Sequence, residues 1–328
     1  MTLEPLSYIV VNTLAGRKVT VGNVNRWEVS ESLTSLTDTA SVYLPRRMYK
    51  DEKSVDQYIT RGDSIELYAG YGDPSRVVFR GYVSRVDVNE ANIVIQCDNE
   101  AYTIKGIAVA PKLYKSTTLK ALLADIMPGI SVKSADMNLG EVRIAEKTTA
   151  SKVIDYITRN YPVDFTFLDG VLLALLPLTS TIEAQRTIKV KKDFNIVKAS
   201  ISEQVDKDKE LQIISKAILA DNTKIEAKFP ATAENADIRT FYVPGAASVA
   251  DLKKHAEEMH KRYIQRQAEG EIVMFGLEET WTRKGDIVHY YDDDNAQLNN
   301  RKWLARDVTR VMGNEGYRCT VKIGAEVV

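Results

Sequence analysis

The sequence is short of the residues that carry most enzyme chemistry. Its 328 residues include only two cysteines and three histidines. Cys97 and Cys319 cannot build a disulfide framework. Both sit in strand-like runs, "IVIQC" and "YRCTV", where a free thiol packs as a small hydrophobe. His255 and His260 stand five apart in "HAEEMH", about 140° around a helix, whereas a zinc-protease pair needs i and i+4 on one face. "YAGYG" and "GNEGYR" lack the Gly-Lys-Ser/Thr of a phosphate loop, and no Gly-x-Ser-x-Gly elbow occurs. "DDDN" at 292–295 lacks the Gly and distal Glu of a calcium loop, so it reads as a polar turn tip. Carboxylate pairs for glycoside hydrolysis form in space, so "EETW" at 278–281 is a candidate by composition alone. No catalytic, metal-ligating or cofactor-binding residue is assigned, and no cofactor is expected. A structural or binding protein is favoured over an enzyme.

Long apolar runs and a charge excess are absent too. The longest run, "GVLLALLPL" at 170–178, is broken by Pro177 and falls short of the roughly 18 residues of a membrane-spanning helix. "MTLEPLSYIVVNTLAG" has no cationic segment and does not read as a signal peptide. Lys plus Arg number 44 against 45 Asp plus Glu, so no global field draws the chain to nucleic acid or an anionic membrane. Hydrophobic content of 44% is that of a chain able to bury a core.

What is present is mainly strand pattern. Over 1–105, "KVTVGNV", "RWEVSES", "TASVYLP", "SIELYAG", "RVVFRGYVSRVDV" and "NIVIQC" alternate or are β-branched, which predicts a barrel or sandwich. "RRMYKDEKSVDQYIT" interrupts them as a crossing loop or short helix. Residues 106–180 change character. "STTLKALLADIMPG" offers Ser116 or Thr117 as N-cap, Leu119, Leu122, Leu123 and Ile126 at helical spacing, and a Pro128-Gly129 stop. A second helix carries Val153, Ile154 and Ile157, and "VDFTFLDGVLLALL" predicts a hairpin turning at Asp169-Gly170. This segment reads as an α/β insert.

Strands return over 181–228 and 271–328. They are interrupted at 229–270 by the polar stretch "ATAENADIRTFYVPGAAS" and a helix with Ser248 as N-cap, Leu252, Ala256, Met259 and Tyr263 on one face, and Gly270 as its stop. The fold class expected is α+β, mainly β. It comprises two similar tube-like β-barrel modules (1–105, and 181–228 plus 271–328), an α/β insert at 106–180 between them, and a smaller helical insert at 229–270 within the second.

The two modules share a string. "RGDSIELYAGYGDPSRVVFRGYVSRVDVNEANIVIQC" (61–97) and "KGDIVHYYDDDNAQLNNRKWLARDVTRVMGNEGYRCTVKIG" (284–324) both open basic-Gly-Asp, run into a strand, cross a polar turn and end in a strand carrying a cysteine. Val83-Ser84-Arg85-Val86 matches Val308-Thr309-Arg310-Val311. Gly62 and Gly285 are expected to set equivalent turns, supported by Asp63 and Asp286. Arg85 and Arg310 mark equivalent places in the following strand. Arg61-Gly62-Asp63 is also the string of a cell-adhesion ligand, but Lys284 in the second copy departs from it.

The order of these parts resembles the tail hub (baseplate hub) proteins of phage tails and contractile injection systems, including late control protein D and tail proteins of Mu-like prophages. The resemblance rests on "VNRWEVSESLTSLTDTASVYLP", the two strings above, and "STTLKALLADIM" with "TTASKVIDYITRNYPVDFTFLDGVLLAL". It covers nearly the whole chain, and the segment 229–248 departs from the family pattern. It implies a homotrimer in which two modules per chain make a pseudo-sixfold ring. That ring would join a hexameric tail tube to a trimeric central spike and pass a tape-measure protein or DNA through an acidic or neutral lumen. Because the sequence stops at "KIGAEVV", the spike is expected to be a separate protein. The location implied is a virion tail or prophage-derived particle assembled in the bacterial cytoplasm. The alternatives are a glycan-binding or adhesive β-protein and a tail-associated peptidoglycan hydrolase.

Overall fold

A computed structural model describes residues 5–22, 24, 26–46, 57–71, 76–90, 92–135, 137–161, 163–175, 186–203, 210–219, 223–233, 236–243, 246, 248–265, 268–314 and 316–327. The segment read as a crossing loop or short helix lies largely outside these residues. The chain forms two compact units: Met1–Tyr102, Ala184–Ile201 and Gly270–Val328 make the first, Thr103–Glu183 and Ser202–Glu269 the second.

The first unit begins with β1 (Pro5–Asn12), β2 (Lys18–Gly22), β3 (Arg26–Ser32), β4 (Thr39–Pro45), β5 (Ser64–Tyr71), β6 (Arg76–Val88), β7 (Asn92–Asp98) and the start of α1 (Ala101–Gly106). The second unit then takes β8 (Ala108–Val109), β9 (Lys112–Thr118), α2 (Leu119–Ile126), β10 (Val132–Ser134), β11 (Asn138–Ile144), β12 (Thr148–Thr149), α3 (Ala150–Asn160), β13 (Asp164–Leu168) and β14 (Val171–Leu175). β15 (Thr187–Lys191) and β16 (Ile196–Glu203) follow, with all but the end of β16 in the first unit. β17 (Leu211–Ile218), β18 (Lys224–Phe229), β19 (Asp237–Tyr242) and α4 (Val249–Gln265) belong to the second. β20 (Ala268–Phe275), β21 (Ile287–Tyr291), β22 (Arg301–Gly313) and β23 (Gly316–Glu326) complete the first.

The mainly β expectation holds, and the strand pairing among the described residues is that of one continuous sheet. Thirteen strands of the first unit form one sheet in the order β16-β20-β23-β22-β3-β4-β7-β6-β5-β1-β2, with β21 added beside β22 and β15 beside β21. Closing the first half would require β2 to pair with β3. The free edge of β3 is taken instead by β22, with Trp27–Ser32 antiparallel to Asp307–Met312. A strand edge has one row of donors and acceptors, so it serves one neighbour. Among the described residues no pairing closes either half on itself.

Alternation places the cores. Ile9, Val11, Val29, Val42, Ile65, Leu67, Ile93 and Ile95 are fully buried in a cluster that also takes in Trp281, Met312 and Tyr317 from the later strands. Val190, Ile272, Val288, Val308, Val321 and Ile323 form a second cluster. Gly81 in β6 is a close-approach position. A Cβ there would stand 2.2 Å from the carbonyl oxygen of Asp98, which backbone cannot yield without losing the β6–β7 pairing. Gly81→Ala is therefore expected to destabilise the first unit by about 1–3 kcal/mol or more, read as a lower urea midpoint by tryptophan fluorescence.

In the second unit, Leu119, Leu122, Leu123 and Ile126 are the buried face of α2, and Val153, Ile154 and Ile157 that of α3. The N-cap of α2 is Thr118, whose Oγ1 accepts from Ala121 N, rather than Ser116 or Thr117. Those two lie within β9, extended by pairing with β11. The 164–175 hairpin turns through Asp169 and Gly170, both at positive φ. Ser248 Oγ caps α4 by accepting from Asp251 N at 3.2 Å. Gly270 does not stop that helix: α4 ends at Gln265 and Gly270 lies inside β20. The polar stretch before α4 contains an unexpected strand, β19, parallel to β17.

Candidate functional site

The region that concentrates buried charge is the joint where β22 meets β3. Arg310 is 1% exposed. Its Nη2 donates to Glu31 Oε1 at 2.6 Å and to the Val78 carbonyl at 3.1 Å, and its Nη1 donates to the Thr282 carbonyl at 2.9 Å. The guanidinium lies over the Trp281 ring, 4.5 Å from its centroid, and Trp281 and Trp27 each pack on Tyr317. Three residues beyond Trp281, buried Lys284 donates through Nζ to Asp38 Oδ2 at 2.5 Å and to the Ser32 carbonyl at 3.4 Å, while its backbone N–H reaches Glu31 Oε2 at 3.5 Å. Asp38 also accepts from Asn99 Nδ2 at 3.0 Å and Ser32 N at 3.1 Å. Two cations and two carboxylates thus neutralise each other between the halves of the sheet. A buried charge is tolerated only when paired and hydrogen-bonded in this way.

The electrostatics follow from that pairing. Burial pushes the Glu31 carboxyl up, but Arg310, Lys284 and Arg283 outweigh it and hold the pKa below the ordinary carboxylate range. For Asp38 burial prevails over Lys284, and the carboxyl is pushed up to about 6. Arg310 is held above its ordinary value because Glu31 overcomes the burial penalty. The cluster locks together parts far apart in sequence. It offers no group that is both reachable and chemically poised.

The two basic-Gly-Asp loops have the same local bonding. Gly62 and Gly285 have φ of 96° and 88°, a region glycine enters without cost. Gly62 N donates to the Val83 carbonyl and Val83 N to the Asp63 carbonyl, both at 2.8 Å. Gly285 and Asp286 make the same two bonds with Ala305, also at 2.8 Å. Asp63 Oδ2 accepts from Thr60 N at 2.7 Å, as Asp286 Oδ2 accepts from Arg283 N at 2.8 Å. Asp63 is 0% exposed, and its other oxygen accepts from Leu14 N at 2.8 Å. A carboxylate so enclosed cannot be presented to an adhesion receptor.

Arg85 and Arg310 do not share a setting. Arg85 is exposed and bonds Asp87 at 2.5 Å, whereas Arg310 is the centre of the joint. The loops explain the difference. Val83 faces the first loop and Ala305 the second, so the Val-x-Arg-Val strings lie three residues out of phase. Nothing in the sequence marks Glu31 or Asp38, and Trp281 stood out only as the end of "EETW". Lys284 did so only as the basic residue of its loop. Glu31 lies in an alternating strand and carries no signal of the partner 279 residues away.

The remaining candidates are accounted for structurally. Burial pushes the Cys97 thiol far up and the Cys319 thiol up to about 11, so neither is a thiolate near neutrality. His255 Nδ1 and Ser215 Oγ are 2.8 Å apart, but Ser215 is fully buried and burial lowers His255 to about 4, which makes it a poor base and the serine unreachable. In the 292–295 turn, Asp293 and Asp294 pair with Lys191 and Lys192, and Asp292 Oδ1 accepts from Asp294 N at 3.1 Å. Glu278 pairs with Arg76 at 2.9 Å. Among the described residues no three His, Cys, Asp or Glu side chains converge on a point that could hold a metal ion, and no helix is long and apolar enough to cross a membrane.

The fold defined by these strands is that of phage and prophage tail proteins and of components of related secretion machines. The chain is similar to the 43 kDa tail protein of prophage MuSo2 from Shewanella oneidensis, with a TM-score of 0.68 at 12% identity over 98% of each chain. A tail protein from Neisseria meningitidis MC58 matches with a TM-score of 0.67 at 15% identity, over 97% of this chain and 96% of that one. The E. coli c3393 protein, a component of the type VI secretion system with structural similarity to the T4 tail proteins gp27 and gp5, matches with a TM-score of 0.59 at 12% identity over 93% and 74%. No protein-family model and no curated protein matches the sequence.

Proposed function

We propose that the chain is a structural hub protein of a phage tail or a related injection apparatus. Three copies form a ring whose six similar β modules match a hexameric tail tube on one face and a trimeric central spike on the other. A tape-measure protein or DNA passes through its lumen. The observation that carries this reading is the joint. Two stretches with the same Gly-Asp loop bonding lie in one continuous sheet, and the junction between them is sealed by a neutral buried charge cluster rather than by a catalytic group. A ring of repeated modules needs rigid module-to-module joints of this kind. The near-full-length likeness to prophage tail proteins supports the same role. Residues Gly62, Asp63, Gly285 and Asp286 act as structural turn positions in both modules.

The test is mass in solution. A mass three times 36.8 kDa is expected in light scattering as protein concentration rises. A chain that stays monomeric when concentrated, or one that clears cell-wall suspensions, contradicts the reading.

A further inference from the structure

Among the described residues, part of β6 inside the sheet and the outer side of β16 at one end of it are uncovered strand edge, and the joint within the chain shows what fits there. β6 pairs β5 through Arg76–Tyr82 and β7 through Tyr82–Val88. On the side away from β7, residues 84–88 have no strand partner among the described residues. β22 is likewise thirteen residues long, and there the corresponding side is filled by β3. At one end of the sheet, β16 pairs with β20 and has no second strand partner among the described residues.

The register between these parts can be worked out from the backbone. Val83 faces the first Gly-Asp loop as Ala305 faces the second, and a bulge follows each, before Arg85 and before Asp307. Counting five residues on, Val88 corresponds to Arg310. Across the sheet, Cys97 pairs with Val83 and with Ala40, while Ile323 pairs with Ala305 and with Gly270. Ala40 therefore corresponds to Gly270. Val29 lies opposite Ala40, and a Cβ on Gly270 would meet the Ile201 Cα at 3.2 Å, so Ile201 takes the place of Val29. The sequence agrees, because Val29-Ser30-Glu31 and Ile201-Ser202-Glu203 match. Within the chain, Val29 is the residue paired with Arg310.

We propose that β16 of one copy adds antiparallel to the open edge of β6 of a second copy of this chain, with Ile201 opposite Val88. The inter-subunit joint then repeats the β3–β22 joint inside each chain. The partner is a second copy because β16 is the counterpart of the strand that fills this place in the joint already formed. Exposure supports it: Val88 is 43% exposed and Val197 47%, so apolar side chains stand in water on the two edges that would meet. An uncovered edge of this kind invites strand addition. The two edges are different surfaces, so the contact is head-to-tail, the kind that builds a ring when its rotation closes after three copies. Arg61 stands in its loop where Lys284 stands in the other, and it is exposed. It would face the end of the incoming strand as Lys284 faces the Ser32 carbonyl, so it acts as a positioning residue. The RGD string thereby gains a role in assembly.

This inference rests on the ring reading above, and the experiment separates the two. In the full chain carrying Val88→Cys and Ile201→Cys, a short bismaleimide is expected to link chains into dimers and closed trimers. Either single variant should give none, since Cys97 and Cys319 are buried. Arg61→Glu, with an unchanged far-UV spectrum, should weaken trimer formation at least tenfold. A chain that is trimeric by mass but whose double variant does not cross-link overturns the edge assignment and leaves the ring standing. A chain monomeric at every concentration overturns both.

Discussion

Arg310→Ala is expected to lower the stability of the first unit by about 3–5 kcal/mol, because removing one member of a buried ion pair leaves the other charged and unpaired. Three acceptors lose their donor at once: Glu31, the Val78 carbonyl and the Thr282 carbonyl. Trp281 loses the cation lying on its face, and Glu31, held in its charged form by Arg310, must then bind a proton or remain buried as an anion. The readout is clean, since Trp27, Trp281 and Trp303, the only tryptophans, all belong to the first unit. Fluorescence in a urea titration therefore reports that unit alone. A double variant that also carries Glu31→Gln should lose less than the sum of the two single losses, since both singles break the same pair. A loss below about 1 kcal/mol for Arg310→Ala would show that the pair is solvated and that the joint is held by other contacts.

The second large effect is a loss of stability with acid in the second unit. Burial among the strand β17 and helix α4 lowers His255 from 6.5 to about 4. The unfolded chain thus binds more protons than the native one between about pH 6.5 and 4, and stability falls as pH falls through that window. The total is about 3 kcal/mol, fully present above pH 6.5 and fully lost below about 4. His260, also lowered by burial, acts in the same direction. Hydrogen exchange of the α4 amides, corrected for intrinsic rates, should accelerate across this range, and His255→Gln should flatten the profile. An unchanged α4 profile, or a ring titrating at an ordinary value in NMR, would refute the prediction. In the first unit Asp38 has the opposite sign. Its carboxyl is raised to about 6, so the native state holds the extra proton between about pH 4 and 6. That contribution is lost as pH rises through 6, while Glu31, lowered, favours the fold at higher pH.

Much of the local structure was legible because it is written in neighbouring residues. Leu119, Leu122, Leu123 and Ile126 repeat at the period of a helix and are buried together. Asp169-Gly170 is a turn because these residues accept positive φ. The strand pattern of 61–97 and 284–324 reads directly from alternation. Less local features failed. β19 was missed because five of its six residues are exposed, so no alternation marks it, and only pairing with β17 makes it a strand. Gly270 looked like a helix stop because glycine commonly is one; its place is set instead by the close approach of β16 and β23.

By itself, the sequence determined most of the elements, their mainly β character and the two Gly-Asp loops, because periodicity and backbone freedom act over a few residues. Tertiary structure alone decided which strand edge meets which. That choice joined strands of both halves in one sheet and separated Arg85 from Arg310. It also put Glu31 and Asp38 beside Arg310 and Lys284, 279 and 246 residues further along the chain. Edge pairing and buried charge neutralisation depend on surfaces that exist only once the halves have come together, so no local stretch of sequence carries them.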